Sequence, residues 1–305
     1  MHYHIYEFKF STGVHFGISS LEDTGATFGS DTLFSALCIE ALKMGEEKLN
    51  LLIQYVKNGR LLFSDAFPLI DGEYYLPKPI RKIEYNDIGD SDSKKVFKNM
   101  KYIPFSSLDK YLQGQFTVSE AEKVKIPGYK LVKVSAAIKE NEDAEPFRVG
   151  TYYFADNESL YIIIKTENDE IKGFIEELID GLSLTGIGGK RNTGLGKFEF
   201  HNRKISDFML TKLENDAEVY MSLSGALPRE NELEEAMENA EYMLLKRSGF
   251  VSSSSYCDSF MRKKDLYIFA SGSCFKNKFE GDVYDVSSNG KHPVYRYAKP
   301  IFIGV

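Results

Sequence analysis

Tryptophan is absent from the 305 residues of this chain, and cysteine nearly so. Cys38, Cys257 and Cys274 are odd in number and far apart, which fits neither a disulfide framework nor a zinc cluster. A reduced, cytoplasmic compartment is expected. No uninterrupted apolar stretch reaches the ~18 residues of a membrane-spanning helix. The opening MHYHIYEFKF has neither the basic lead nor the apolar run of a signal peptide. No membrane partner is therefore expected. Metal ligands are scarce as well: His2 and His4 share one face of a strand, with no carboxylate or Cys in register to complete a site. An excess of cations is also missing. Acidic residues outnumber basic ones 45 to 38, for a net charge of −7, which taken alone argues against a nucleic-acid partner.

The charge is segregated, however, and local fields matter more than totals. Glu230, Glu232, Glu234, Glu235, Glu238 and Glu241 crowd one window without a cation. Lys190, Arg191, Lys197, Arg203 and Lys204 stand against Glu199 alone. Phenylalanine and tyrosine are plentiful, 22 and 19, a bias toward strands.

Alternation predicts a strand over 2–10, with Tyr3, Ile5 and Glu7 on one face and Tyr6, Phe8 and Phe10 on the other. A helix follows Ser30 and Asp31, either of which would be a natural N-cap, and stops at Gly45. Strands are expected at 61–67, ended by Pro68, and at 74–76. Residues 81–145 lack a long period and read as an insertion, a projecting hairpin or short helix. A strand at 159–165, an amphipathic helix at 171–184 and a strand at 197–201 complete a βαββαβ order. The fold class is thus α+β, with domains at 1–205 and 206–305. The second domain is expected to hold a strand at 219–223, an acidic helix at 230–243 and four further strand-like runs.

The helix at 171–184 and the strand at 197–201 are joined by TGIGGKRNTGLGK, with five glycines in thirteen residues. A P-loop would need Ser or Thr after Gly189-Lys190, where Arg191 stands. A dinucleotide fingerprint would need a glycine at that same position. Both motifs leave a strand and open a helix, whereas this loop leaves a helix and opens a strand. No nucleotide cofactor is expected. What remains is a polyanion contact. Gly186, Gly188, Gly189 and Gly194 would bring the backbone close, with Lys190, Arg191, Asn192, Thr193 and Lys197 as partners. A second cation-plus-glycine cluster, Lys246, Arg247, Ser248, Gly249 and Phe250, runs on into Ser252. It suits phosphate contact and base stacking. Ser271 and Gly272 are a companion nest. Lys78, held between two prolines, and Arg81 sit at the root of the insertion. His15 is a candidate for hydrogen bonding to RNA and, as the alternative, for general acid–base catalysis. Asp31 is accounted for as an N-cap.

The loop GIGGKRNTGLGKF resembles that of the RAMP proteins, the repeat-associated CRISPR ribonucleoprotein subunits. Further stretches narrow the likeness: HFG at 15–17, SDTLFSAL at 30–37, DAFP to LPKP over 65–79 and ALP at 226–228. KRSGF at 246–250, DLYIFASGSCF at 265–275 and YAKP at 297–300 continue it. In this order they are similar to the family of fourth subunits of type III-A Csm effector complexes. The resemblance implies two tandem ferredoxin-like (RRM-like) domains with a thumb hairpin inserted in the first. It implies that the chain holds the repeat-derived five-prime handle of CRISPR RNA (crRNA), with target RNA near the thumb. It also implies docking to the large polymerase-like subunit and the first backbone subunit, without catalysis. A metal-independent RAMP endoribonuclease using His15 and a pure protein-interaction module are the competing readings.

Overall fold

A computed structural model describes residues 1–84, 91–137, 145–251, 256 and 261–305, without the side chains of 91–93 and 137. The strand His2–Phe10 lies one position in from the edge of the main sheet. It pairs antiparallel with Glu158–Thr166 on one side, Ile5 opposite Ile163, and with Phe198–Arg203 on the other, Phe8 opposite Phe200. Leu61–Phe63 and Phe67–Ile70 pair with the far edge of Glu158–Thr166. The order 198–203, 2–10, 158–166, 61–70 is the antiparallel βαββαβ arrangement, and Glu73–Pro77 and Tyr102–Pro104 extend it.

Alternation sorts the core into two layers. Tyr6, Phe8, Ile162 and Ile164 face the helices Ser30–Met44, Glu46–Lys57 and Asp169–Thr185. Ile5, Tyr161 and Ile163 face Phe97, Ile103, Leu108 and Phe116 of the inserted region, with Met221 and Ile303 of the C-terminal half. Because both faces are covered, Leu160–Ile164 of this strand reads as an unbroken apolar run.

Several expectations are corrected. Pro68 lies inside a strand, because the outer neighbour begins its pairing only at Leu69 and asks no donor of it. The helix Glu46–Lys57 was not foreseen; Leu52, Tyr55 and Val56 are its buried stripe. Most of the insertion does not project. Ser91–Asn99, Leu108–Leu112 and Val118–Lys123 are short helices packed over the sheet, the last opened by a Thr117–Glu120 capping box. What stands out is a hairpin of Tyr129–Ala137 against Glu145–Tyr153, with Tyr129, Leu131, Val132 and Val134 exposed.

The C-terminal half is built of shorter pieces. Tyr220–Ser222 lies between Cys274–Phe275 and Phe302–Gly304, Leu244–Arg247 pairs with Leu266–Phe269, and Asp282–Asp285 with Tyr295–Ala298. The expected acidic helix at 230–243 is only a turn at Glu230–Glu232 and another at Leu233–Ala236. Glu230, Glu234 and Glu238 would repel one another at i, i+4 spacing. Asn239 takes a left-handed φ of 54°, and Glu232 turns away to accept backbone N–H groups of Arg229, Glu280 and Gly281.

Burial pushes the thiols of Cys38 and Cys274 up to about 12, so both behave as packing groups, while Cys257 lies outside the described residues. Among the described residues no helix is long and apolar enough to cross a membrane, and no His/Cys/Asp/Glu cluster is suited to a metal.

Candidate nucleic-acid interface

The glycine loop leaves the helix Asp169–Thr185 at Gly186 and folds back on the segment that follows the first strand. Gly189 donates its N–H to the His15 carbonyl at 2.8 Å, Gly196 to Gly13 at 2.9 Å and Ile187 to Gly196 at 3.0 Å. Gly188 has a φ of 101°, and a Cβ there would sit 2.8 Å from the His15 oxygen; one on Gly189 would sit 2.7 Å from the His15 ring. The glycine content therefore has a structural cause, close approach of two backbones, and is not itself a sign of a ligand. Gly188→Ala is expected to cost roughly 2–4 kcal/mol in chemical denaturation, from backbone strain and overpacking together.

The loop's side chains point elsewhere. Lys190, at a left-handed φ of 58°, lays its ammonium 4.6 Å from the Phe147 ring of the hairpin. Asn192, Thr193 and Lys197 are exposed, with the Thr193 hydroxyl turned back to the Lys190 carbonyl. His15 is 6% exposed and its Nδ1 lies 2.7 Å from the Gly150 carbonyl. A carbonyl only accepts, so Nδ1 carries the proton and Nε2 is the free ring nitrogen. His15 thus ties the glycine loop to the base of the hairpin.

Across from this loop runs the second cluster. Leu244–Arg247 leads into Ser248, Gly249 and Phe250, whose ring is 56% exposed. His15, Gly188, Gly189 and Arg191 from one side, and Lys246, Arg247, Ser248, Gly249 and Phe250 from the other, line a single groove of about 450 Å³. Two segments more than fifty residues apart, singled out in the sequence for the same chemistry, form its two walls.

Asp31 lies on the floor and is not the N-cap. Gly29 holds that position, and Asp65 Oδ1 accepts the Ser30 N–H and hydroxyl, each at 2.8 Å. Asp31 instead accepts Arg247 Nε at 2.8 Å, with a second contact from Arg247 Nη2, and Arg296 Nη1 at 2.5 Å. Burial alone would raise its pKa; the two guanidiniums outweigh this and hold the carboxyl below the usual range. Arg247 is therefore engaged with Asp31 and not extended toward solvent. Lys246 pairs with Asp265 at 2.8 Å.

The remaining residues lie apart from the groove. Lys78 donates to the Phe97 carbonyl at 2.7 Å, and burial lowers its pKa. Arg81 reaches the Val305 carbonyl at 3.4 Å. Gly272 accepts the Ile80 N–H at 2.7 Å, and Ser271 hydrogen-bonds Asp65. Arg81, Gly272 and Ser271 thus join the two halves of the chain, while Lys78 ties the insertion to its root. Gly186, Lys190, Asn192, Thr193, Gly194 and Lys197 belong to the loop without lining the groove. Ser252 lies outside the described residues. Sequence reasoning missed Arg296 and Lys263, which line the floor, and Asp65 beneath it; no local pattern marks a buried cation whose partners are distant.

Two family models match the chain: the RAMP superfamily over residues 28–199 and the CRISPR Csm4 C-terminal domain over residues 215–305. The CRISPR system Cms protein Csm4 of Mycobacterium tuberculosis is 37% identical over 308 residues, covering 100% of this chain and 98% of that protein. The protein of the same name from Streptococcus thermophilus is 36% identical over 311 residues, covering 99% and 98%. A solved Csm3-Csm4 subcomplex in the type III-A CRISPR-Cas interference complex contains a chain that matches with a TM-score of 0.70 at 18% identity, covering 99% of both. A Csm1-Csm4 cassette in complex with AMPPNP gives 0.62 at 19% identity, covering 100% of this chain and 98% of that one. These likenesses carry the fold, tandem ferredoxin-like units of the RAMP kind.

Proposed function

Because the chain belongs to the Csm4 family of the RAMP superfamily, we propose that it is a non-catalytic RNA-binding subunit of a cytoplasmic type III-A CRISPR complex. It anchors the repeat-derived five-prime handle of CRISPR RNA in the groove between its two halves. The observation that carries this reading is the meeting of the glycine loop and the Lys246–Phe250 segment across one cleft. Arg191 suits a phosphate, Lys246 can exchange its exposed Asp265 partner for one, and the exposed Phe250 ring offers a stacking surface. The hairpin, with its exposed apolar edge and cations, lies nearest target RNA. A backbone subunit and a large subunit dock on this chain, as the names of the Csm3-Csm4 and Csm1-Csm4 structures indicate for their own chains. The Nδ1 bond of His15 to Gly150 gives that residue a positioning task at the base of the hairpin.

The test is binding of handle RNA by the full chain, alone and in its complex, across a salt series. Lys190→Ala/Arg191→Ala removes two phosphate contacts, one in the groove at Arg191 and one outside it at Lys190, beside Phe147. The log–log salt slope should flatten by about 1.4, and affinity at 0.1 M salt should fall roughly 25-fold. Unchanged slope and affinity would refute the loop's assignment. RNA cleavage under chelation, abolished in His15→Ala, would refute the absence of catalysis.

A further inference from the structure

Among the described residues, the floor of the groove holds more positive charge than its acids neutralise. Arg247 and Arg296 share one carboxylate, Asp31. Lys263 is half-buried beside them, and its ammonium has no hydrogen-bond or ion-pair partner among the described residues. The nearby acids are taken: Asp265 by Lys246 at 2.8 Å, and Asp65 by N–H groups of Ser30 and Gly225. Arg296 is 6% exposed, and its buried Nε has no hydrogen-bond partner among the described residues. Leaving a buried donor unpaired costs about 1–3 kcal/mol, and an unpaired ammonium more. A fold seldom keeps both in one place unless something satisfies them. Both residues line the groove, so whatever does so enters from it. The first turn of the 15-residue helix Ser30–Met44 opens on the same space, and its dipole adds to the positive potential.

We propose that Lys263 and Arg296 form a phosphoryl-anion subsite at the floor of the groove, seating one specific phosphate between the two halves of the chain. The chemistry fits a tetrahedral dianion or a diester: several donors converge, and among the described residues no carboxylate on the floor is without a partner. Burial and the neighbouring Arg296 already lower the pKa of Lys263, a penalty that an arriving anion would relieve. This inference rests on the RNA-binding reading and deepens it, since the phosphate best placed to reach the floor is one of the RNA backbone. A free phosphate offers the same chemistry, and the experiment separates the two sources.

Lys263→Met keeps the aliphatic stem and removes the charge. Because the Lys263 ammonium has no partner among the described residues, the variant is expected to melt at the wild-type temperature or slightly above it. Handle-RNA binding by the full chain should weaken about fivefold at 0.1 M salt, with the salt slope flattening by about 0.7, one phosphate on a single strand. In a parallel arm, inorganic phosphate should raise the melting temperature of the wild type and not of Lys263→Met. If RNA binding is unchanged but the phosphate response is lost, the subsite stands and its anion is a free phosphate. If neither responds to Lys263→Met, the subsite is refuted. A weakening by Lys190→Ala/Arg191→Ala in that same series would then leave the groove reading intact, whereas no weakening by either variant would remove both.

Discussion

Asp31→Ala is expected to destabilise the folded chain by about 3–5 kcal/mol, the usual cost of removing one partner from a buried ion pair. The carboxylate is buried and bonded to two guanidiniums that come from 216 and 265 residues away. Without it, Arg247 and Arg296 face one another uncompensated beside Lys263, and the two halves of the chain lose their electrostatic clasp. Differential scanning calorimetry should show a drop of several degrees, and limited proteolysis should cut between the halves sooner. Asp31→Asn keeps the shape and separates charge from size. The Asp31 carboxyl is held below its ordinary value of 3.8. Its contribution is complete above that value and is lost as pH falls through the lower folded pKa. The deficit of Asp31→Asn should therefore be largest near neutrality and should shrink on acidification. A deficit independent of pH would mean that Asp31 acts by packing alone.

Asp65→Ala is the second large effect, about 2–4 kcal/mol. Asp65 supplies the cap that the first helix lacks at Gly29, and it also accepts the Gly225 N–H from the other half at 3.2 Å. Removing it costs a cap, about 1 kcal/mol, and leaves buried donors unpaired at about 1–3 kcal/mol. Asp65→Asn should recover much of this, because an amide oxygen can still accept. Here the pH dependence has the opposite sign. Burial, working against the hydrogen bonds from Ser30, Gly225 and Ser271, raises the Asp65 carboxyl above 3.8. The folded state then holds this proton at higher pH than the unfolded state, so its contribution falls as pH rises through that interval. The deficit of Asp65→Asn should narrow with rising pH while that of Asp31→Asn widens. Melting curves of both variants from about pH 2 to 7, spanning the ordinary value of 3.8 on both sides, would show the opposite trends, Asp31 below it and Asp65 above it, and parallel behaviour would contradict the assignment of the two environments.

These two aspartates mark the limit of what the sequence alone discloses. The first strand, the helix Asp169–Thr185 and the helix-to-strand order of the glycine loop were legible because their signals are local: period two, period 3.6 and the placement of glycine. The capping role first assigned to Asp31 followed from the same local logic, and it failed because a tertiary partner, Asp65, supplies the cap. That the insertion 81–145, read as a projecting hairpin or short helix, holds three helices packed on the sheet was not legible for a different reason. They are too brief to show a period, although Thr117-x-x-Glu120 signals a helix start. At the groove, the two walls could be named from cation and glycine clusters, but not that they face each other. The floor was invisible, since Lys263 and Arg296 acquire meaning only through contacts that span most of the chain.

The central claim is that one groove, with walls from both halves, grips the handle of the CRISPR RNA. A photocrosslinking map of the full chain with handle RNA, free and in its complex, tests it most directly. The account predicts crosslinks from a few neighbouring nucleotides to both walls, at the glycine loop around Gly189–Arg191 and at Ser248–Phe250. Crosslinks confined to one wall, or to the acidic face around Glu230–Glu238 with the groove unlabelled, would contradict it.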